Sequence, residues 1–222
     1  MLDSDLTEVI GFCGFKGSGK DTAADYLCEH HGYEKISLAY PLKTACQKIF
    51  GFSDQAVFGA SQYREEPDSR YTFSGKDPVD GSQLTKVARD VRHYWQRESD
   101  GEWFPQYITP RLALQTLGTE WGRRLYEDIW VDACMNFIRS SSHSRWVISD
   151  VRFMNELAGV QRAGGRVIRL MRGQRESNHP SELELESIDL SEFDHVIMNL
   201  GTKKDLYAML DSVMKGAGQP SA

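Results

Sequence analysis

A short apolar run, EVIGFC at residues 8–13, leads directly into the glycine-rich stretch GFKGSGKDT at residues 14–22. The apolar run predicts a buried strand, and the residues after the glycines predict a helix from about Asp21 to His31 that ends at Gly32. The stretch fits the pattern G-x-x-x-x-G-K between the strand and the helix that this pattern requires. We therefore interpret it as a phosphate-binding loop. A glycine-rich turn that contains a lysine by chance is the weaker alternative.

The residue types of this loop suit phosphate binding. Glycines let backbone amides turn inward around phosphate groups, and the N-terminus of the following helix adds positive potential. Lys20 is expected to bridge the outer phosphates, and Lys16 adds a charge that can meet the transferred phosphoryl group. The residues assigned to phosphate binding are Gly14, Lys16, Gly17, Ser18, Gly19, Lys20, Asp21 and Thr22.

The loop departs from the common pattern at one position. Asp21 stands where a Ser or Thr usually follows the lysine, and the hydroxyl comes one place later, at Thr22. Either Thr22 takes over the contact with Mg²⁺, or Asp21 reaches the metal directly or through water. This departure favours a small-molecule kinase over a switch GTPase.

The rest of the chain alternates between strand and helix patterns, which predicts an α/β fold with a parallel sheet covered on both faces. Residues 53–107 have a weaker pattern, with one predicted helix at about 84–96, and are interpreted as an insertion or lid within a single domain of residues 1–222. Strands are predicted at 33–39, 145–150, 166–170 and 195–198, and helices at 41–51, from 111, and at 130–139, 155–163 and 203–214.

A second functional position is predicted at the end of the strand RWVISD, residues 145–150. In a doubly wound sheet this end lies beside the loop, at the edge where ligands bind. Asp150 is expected to organise the Mg²⁺ shell or accept a hydrogen bond from substrate, Arg152 to hold anionic groups and Glu156 to hold hydroxyl groups. The alternative is that Asp150 only caps the next helix.

Composition excludes several other classes of protein. With 26 Lys and Arg against 32 Asp and Glu, the net charge is −6, which argues against a protein that coats DNA or RNA. No apolar run approaches the length of a membrane span, and the acidic N-terminus is unlike a signal peptide. The four cysteines have no metal-binding spacing, so reduced thiols and a cytoplasmic location are expected.

Several blocks of the chain, taken together, resemble the deoxynucleoside monophosphate kinases of tailed bacteriophages. The matching regions lie at about 9–46, 110–157 and 160–210, whereas residues 53–107 match poorly. The combination of GKDT with LGTE and SDVR is more specific than a phosphate loop alone. The blocks are GFKGSGKDTAADYL, SLAYPLK, RLALQTLGTEWGR, IWV, ISDVRFMNE and GQRESNHPSE.

The resemblance implies a three-layer P-loop kinase fold and an ATP-dependent enzyme that uses Mg²⁺ to convert deoxynucleoside 5′-monophosphates to diphosphates. It also implies a homodimer, nucleotides rather than nucleic acid polymers or membranes as partners, and the host cytoplasm as the location of a phage protein. Phosphoryl transfer needs positioned cations more than a dedicated base. The residues carried over as catalytic are Lys16, Lys20, Arg123, Asp150 and Arg152.

The resemblance also distributes roles between the two substrates. ATP phosphates and metal are assigned to the loop, with Asp21 and Thr22 as the candidate metal ligands. Gly118, Thr119 and Arg123 are assigned to a mobile segment that closes on the phosphates. Arg64 is the first choice within the poorly matching region. The remaining acceptor-site residues are Lys43 for the monophosphate, Arg111 and Gln115 for the nucleotide, and Trp130, Asp150, Arg152 and Glu156 as its lining.

Two other functions remain open on the motifs alone. Animal-type phosphomevalonate kinase shares the SGKD loop and the SD-x-R strand end, although the LGTE-WGR block and Trp130 favour a nucleotide acceptor. A nucleotide-binding regulator is the second alternative, because phosphate loops serve many such proteins. The displaced hydroxyl at Thr22, the absence of an N-K-x-D run and the second set of cationic residues argue against a regulator.

Overall fold

The computed structural model describes residues 7–72, 107–173 and 185–216. The chain divides into two compact units, one formed by Met1–Tyr40 with Val131–Ala222 and the other by Pro41–Trp130. The predicted helix at 84–96 lies outside the described residues, and a single domain with an insertion at about 53–107 stays a prediction.

The helices and strands follow the alternation predicted from the sequence. The strands are β1 (Glu8–Cys13), β2 (Glu34–Ile36), β3 (Asp68–Thr72), β4 (Tyr107–Ile108), β5 (Arg145–Val151), β6 (Arg166–Met171) and β7 (His195–Met198). The α-helices are α1 (Lys20–His31), α2 (Tyr40–Phe50), α3 (Asp54–Phe58), α4 (Pro110–Gln115), α5 (Ile129–Ser140), α6 (Met154–Arg162) and α7 (Lys203–Gly216). Short 3-10 helices occupy Ser61–Arg64 and Leu190–Glu192, and Thr116–Arg123 form a π-helix.

The first unit is built on a five-stranded sheet in the order β2-β5-β1-β6-β7. All four strand pairings in this sheet are parallel. β1 is the central strand, and its Ile10 lies between Val147 of β5 and Arg166 of β6. The predicted parallel α/β sheet is therefore confirmed.

Alternate residues of β1 enter two different cores, since successive side chains of a strand point to opposite faces. Val9 and Cys13 pack in a buried cluster with side chains of α5 and α6. Ile10 and Phe12 pack in a second cluster with side chains of α1 and α7. Helices thus cover both faces of the sheet, which gives the three layers predicted.

Two boundaries differ from the sequence predictions. The strand predicted at 33–39 is only the three-residue β2, because the chain leaves the sheet after Ile36 and Tyr40 already begins α2. β5 continues one residue beyond Asp150, since Val151 still pairs with Cys13 of β1. Among the described residues, no helix is long and apolar enough to cross a membrane.

The second unit has a small core of its own, formed by α2, α3 and α4 with the antiparallel pair β3-β4. Two helix starts are capped by side chains: Ser53 Oγ accepts from Ala56 N–H at 3.2 Å, and Thr109 Oγ1 accepts from Leu112 N–H at 3.1 Å. Proline at the first position of α4 suits a helix start, where no intrahelical N–H bond is needed. The buried members of the core are Leu42, Cys46, Phe52, Val57 and Ala113.

Candidate active site

The predicted phosphate loop joins the central strand to the first helix, with β1 ending at Cys13 and α1 beginning at Lys20. Gly17 and Gly19 have φ angles of 79° and 102°, which residues with a side chain rarely adopt. At Gly14 a Cβ would lie 2.4 Å from the carbonyl oxygen of Leu170. These glycines are therefore required by the backbone path of the loop.

Lys20 is the first residue of α1, and its side chain reaches back to the start of the phosphate loop. Its Nζ donates hydrogen bonds to the carbonyl oxygens of Gly14 at 2.6 Å and Phe15 at 2.8 Å. The ammonium group is thus held beside the N-terminus of the 12-residue helix α1, whose dipole is positive at this end. Both features favour an anion at the loop.

Ser18 is a buried residue of the loop, and Asn199 holds its backbone. Ser18 is 3% exposed, and its Oγ has no hydrogen-bond partner among the described residues. The Ser18 carbonyl oxygen accepts a hydrogen bond of 2.9 Å from Nδ2 of Asn199, the residue directly after β7. The sequence analysis did not select Asn199. Its position at the carboxyl end of a predicted parallel strand was nevertheless a signal of a functional site, because ligands bind at such strand ends.

The two candidate metal ligands have different surroundings. The Asp21 carboxylate is exposed and lies 3.2 Å from Lys35 Nζ, which also contacts Asp25 at 3.0 Å. Burial on its own lowers the pKa of Lys35, but the hydrogen bonds that its ammonium donates to these carboxylates outweigh it and raise that pKa. Thr22 is partly buried in the first turn of α1. Within residues 7–72, 107–173 and 185–216, no three His, Cys, Asp or Glu side chains form a cluster able to hold a metal ion.

Asp150 lies on β5, the strand next to β1, and so at the same sheet edge as the loop. Its neighbour Val151 pairs with Cys13, the last residue before the loop. Burial and the negative charge of Asp150 raise the pKa of the Cys134 thiol to about 12. Arg152 follows β5 directly and is exposed. The sequence prediction that Asp150 and Arg152 share an edge with the loop agrees with this register.

Glu156 lies in the first turn of α6 and is only 5% exposed. Its Oε2 accepts backbone hydrogen bonds from Arg152 N–H at 2.9 Å and Phe153 N–H at 3.3 Å. These contacts cap the helix and hold the chain at Arg152, which is a positioning role. Binding of a substrate hydroxyl by Glu156 stays a prediction.

A buried arginine that the sequence reasoning did not select lies under the loop. Arg169 of β6 is 4% exposed, and its guanidinium carbon lies 5.0 Å from the centre of the Phe15 ring and 5.6 Å from that of Phe193. Its Nη1 is 3.7 Å from Cys13 Sγ. Burial raises the pKa of Cys13, against the opposing charges of Arg169 and Lys20. The sequence signal for this residue was an arginine within the apolar strand RVIRLM, residues 166–171.

Three of the cationic candidates in the second unit, Lys43, Arg64 and Arg111, each contact a specific neighbour. The Lys43 ammonium is 5.3 Å from the centre of the Phe58 ring. Arg64 Nη2 donates to the Gly59 carbonyl at 3.1 Å. Arg111 forms an ion pair with Glu65, and its Nη2 lies 2.6 Å from Ser61 Oγ. Arg111 and Arg64 are thus brought to the same 3-10 segment, Ser61–Arg64.

The LGTEWGR block forms the π-helix Thr116–Arg123, a rare conformation that is frequent at functional sites. Trp130 Nε1 donates to the Gly118 carbonyl at 2.9 Å. A Cβ on Gly122 would lie 2.7 Å from the Trp130 ring, and one on Gly118 would lie 2.7 Å from Leu42. The glycines therefore allow close packing of the π-helix, and Trp130 supports it.

The remaining candidates of this segment differ in exposure. Thr119 is exposed and Arg123 is partly buried. Gln115, the last residue of α4, has a buried Oε1 with no hydrogen-bond partner among the described residues. A buried carbonyl group without a partner is costly, so a ligand N–H or O–H donor at this position would be favourable.

Comparison with known proteins gives named relatives over nearly the whole chain. A protein of Acanthamoeba polyphaga mimivirus whose name assigns it to the deoxynucleotide monophosphate kinases is 32% identical over 225 residues, covering 95% of this chain and 98% of that protein. The deoxynucleotide monophosphate kinase of Escherichia phage RB69 is 24% identical, covering 94% of this chain and all of the phage protein (100%). The deoxynucleoside-5′-monophosphate kinase of Escherichia phage T5 is 28% identical over 68% of this chain and 70% of its own length.

Comparisons with family models and with solved structures add less information about this chain. No family model matches the chain. Shikimate kinase from Acinetobacter baumannii, solved with shikimate, aligns over 97% of this chain and 96% of its own at 11% identity, with a TM-score of 0.43. Dephospho-CoA kinase from Campylobacter jejuni aligns over 96% of this chain and 97% of its own at 13% identity, also with a TM-score of 0.43. Likeness at this level supports no conclusion about substrate or mechanism.

Proposed function

This chain belongs to the deoxynucleotide monophosphate kinase family, and we propose that it transfers the γ-phosphoryl group of ATP to a deoxynucleoside monophosphate, giving the diphosphate and ADP. Membership makes it a phosphotransferase, in agreement with the resemblance noted in the sequence. The single observation that carries the proposal is the loop between β1 and α1, with the Lys20 ammonium held at its mouth.

The donor side of the proposed site is the loop itself. Its backbone amides, the N-terminus of α1 and Lys20 would bind the phosphates of ATP. Lys16 is exposed on the loop, and its charge would be placed near the transferred group. Charge in the transition state spreads over the phosphoryl oxygens, so these cations stabilise it without a dedicated base.

Mg²⁺ fits the oxygen donors present at the start of α1. We assign it first to the Thr22 hydroxyl, because the Asp21 carboxylate is already engaged with Lys35. Magnesium usually keeps several waters and takes one or two protein oxygens together with substrate phosphates. When bound, the ion would neutralise negative charge on the phosphates of the donor. Asp150 on the neighbouring strand would orient its water shell.

The acceptor side rests on the family resemblance, supported by local features of each residue. The buried Oε1 of Gln115, which has no hydrogen-bond partner in the described part of the chain, and the cationic groups of Arg64 and Arg111 suit a nucleotide with an anionic phosphate. Gly118, Thr119 and Arg123 belong to a π-helix, which suits a segment that changes conformation. The other proposed acceptor contacts are Lys43, Trp130, Asp150, Arg152 and Glu156.

Assembly and location are proposals of the same kind. We propose a homodimer, as the resemblance implies. We also propose nucleotides as the partners, without nucleic acid polymers, consistent with the net charge of −6. A location in the cytoplasm of a host cell is proposed from the viral origin of the relatives.

A panel assay tests this function against its two alternatives. ADP release is followed with ATP and each of the four deoxynucleoside monophosphates in turn, and with phosphomevalonate. Turnover with at least one deoxynucleotide and none with phosphomevalonate is expected. Turnover with phosphomevalonate alone would refute the nucleotide acceptor. Steady hydrolysis of ATP that no acceptor changes would instead favour a regulator.

A further inference from the structure

Asn199 has a fixed place at the carboxyl edge of the sheet. Its backbone N–H donates to the Met171 carbonyl at 2.7 Å, which continues the pairing of β6 with β7 by one residue. The residue is 3% exposed. Its side chain therefore starts from a backbone that the sheet holds in place, as a precise binding constellation requires.

The side chain of Asn199 acts on one peptide unit of the phosphate loop. Nδ2 donates to the Ser18 carbonyl at 2.9 Å, and a Cβ on Gly19 would lie 2.6 Å from the same Nδ2. The amide group thus lies against both residues of the Ser18–Gly19 peptide. Only glycine at position 19 leaves room for this contact.

The hydrogen bond sets the direction of a backbone donor. None of the described peptide bonds is cis, so the C=O and N–H of the Ser18–Gly19 unit point in opposite directions. With the Ser18 carbonyl turned toward Asn199, the Gly19 N–H is turned away from Asn199 and from the end of β7. An N–H group so directed at the mouth of the loop is available to a phosphate oxygen.

We propose that Asn199 is a positioning residue for the donor phosphates, which it serves by holding the Ser18–Gly19 peptide with its carbonyl toward Asn199 and its N–H toward the bound nucleotide. The inference rests on the proposed ATP site and adds a residue outside the loop to it. Without the Asn199 donor, the Ser18 carbonyl loses its partner and the peptide is free to rotate.

Two variants of Asn199 separate hydrogen bonding from packing. Asn199→Asp keeps the shape but places a carboxylate oxygen against the Ser18 carbonyl, whereas Asn199→Ala removes the group and leaves space for water. We expect the dissociation constant of ATP, measured by calorimetry without acceptor, to rise about tenfold or more in the aspartate variant and about fivefold in the alanine variant. KM for the deoxynucleotide should stay within about twofold.

Asn136→Asp is the matched control, because Asn136 is exposed on α5 and accepts a hydrogen bond from Arg139, which a carboxylate also accepts. ATP affinity equal to wild type in both Asn199 variants overturns the proposal. So does an equal loss of ATP and deoxynucleotide affinity, or an alanine variant that binds ATP more weakly than the aspartate variant, since each indicates packing alone. If circular dichroism shows that the aspartate variant does not fold, the alanine variant is compared with wild type alone. Unchanged ATP affinity, or an equal loss of ATP and deoxynucleotide affinity, then overturns the proposal.

The same experiment distinguishes this proposal from the proposed function. Wild-type protein that binds ATP but phosphorylates no deoxynucleotide would refute the kinase assignment, while the order of ATP affinities among the variants would still decide the role of Asn199. Wild-type protein that binds no ATP, with or without Mg²⁺, would refute both.

Discussion

Replacing Lys20 with alanine tests the catalytic assignment of the loop most directly. The Lys20 ammonium already has two carbonyl partners, at 2.6 Å and 2.8 Å. Hydrogen bonds of a charged group contribute roughly 1.5–3 kcal/mol each. An ammonium that exchanges these carbonyls for phosphate oxygens therefore gains little on binding ATP, because the bonds made and the bonds lost are of similar strength.

The transition state is different, since charge develops on the transferred phosphoryl group as the reaction proceeds. Loss of one preorganised donor to such charge costs roughly 2.7–4 kcal/mol, or a factor of about 10²–10³ in kcat. For Lys20→Ala we therefore expect kcat to fall by about 10²–10³ while KM for ATP rises less than about tenfold.

Coupled measurement of ADP release, with ATP and the deoxynucleotide varied separately, gives both constants. Lys48→Ala is the matched control, because Lys48 is exposed in the last turn of α2 and lies outside the proposed site. A near-normal kcat for Lys20→Ala would refute the phosphate-loop assignment. A large rise in KM for ATP with kcat unchanged would refute the exchange of bonds described above.

Further predictions concern the acceptor, the π-helix and the helix pair α1-α7. Arg111→Ala should raise KM for the deoxynucleotide or lower kcat and leave ATP affinity largely intact; loss of ATP binding in calorimetry would move Arg111 to the donor side. Trp130→Phe should remove the side-chain hydrogen bond to the Gly118 carbonyl, at a cost of about 1 kcal/mol, and lower the melting temperature by about 2–4 °C; an unchanged thermal scan would contradict this role. The pKa of Asp211 is lowered by its hydrogen bond from Tyr26, so its stabilising effect should be present at pH 7 and disappear as pH falls through that lowered pKa. Thermal scans of wild type and Asp211→Asn should therefore differ at pH 7 and converge in acid, and a constant difference would contradict the titration.

Much of the fold follows from local patterns. The apolar runs of β1, β5 and β6 and the glycines between β1 and α1 are readable in the chain, because a buried strand and a tight turn each require particular residue types within a few positions. The prediction failed where the pattern was short. Residues 33–39 alternate like a strand, but only three of them pair with β5, since the chain then turns to begin α2 at Tyr40.

The candidate site could also be predicted in part from the sequence. The loop and Asp150 were found because their motifs are continuous in sequence. Glu156 was also selected, and its Oε2 accepts from the backbone N–H groups of Arg152 and Phe153, which is a helix-capping contact; its role toward substrate stays a prediction. A carboxylate in the first helical turn serves either purpose, and composition does not distinguish them.

The sequence by itself determined that a phosphate loop joins a buried strand to a helix, because that unit is encoded by 15 consecutive positions, Glu8 to Thr22. Only the tertiary structure decided what holds this loop. Asn199 reaches Ser18 from 181 positions away, and Arg169 reaches Cys13 from 156 positions away. Both contacts depend on the order β1-β6-β7 and on the register of the strands, which bring distant residues to one sheet edge. Hydrophobic periodicity identifies a strand but not its neighbours, so the positions of Asn199 and Arg169 could draw attention to them in the sequence but could not reveal which loop residues they contact.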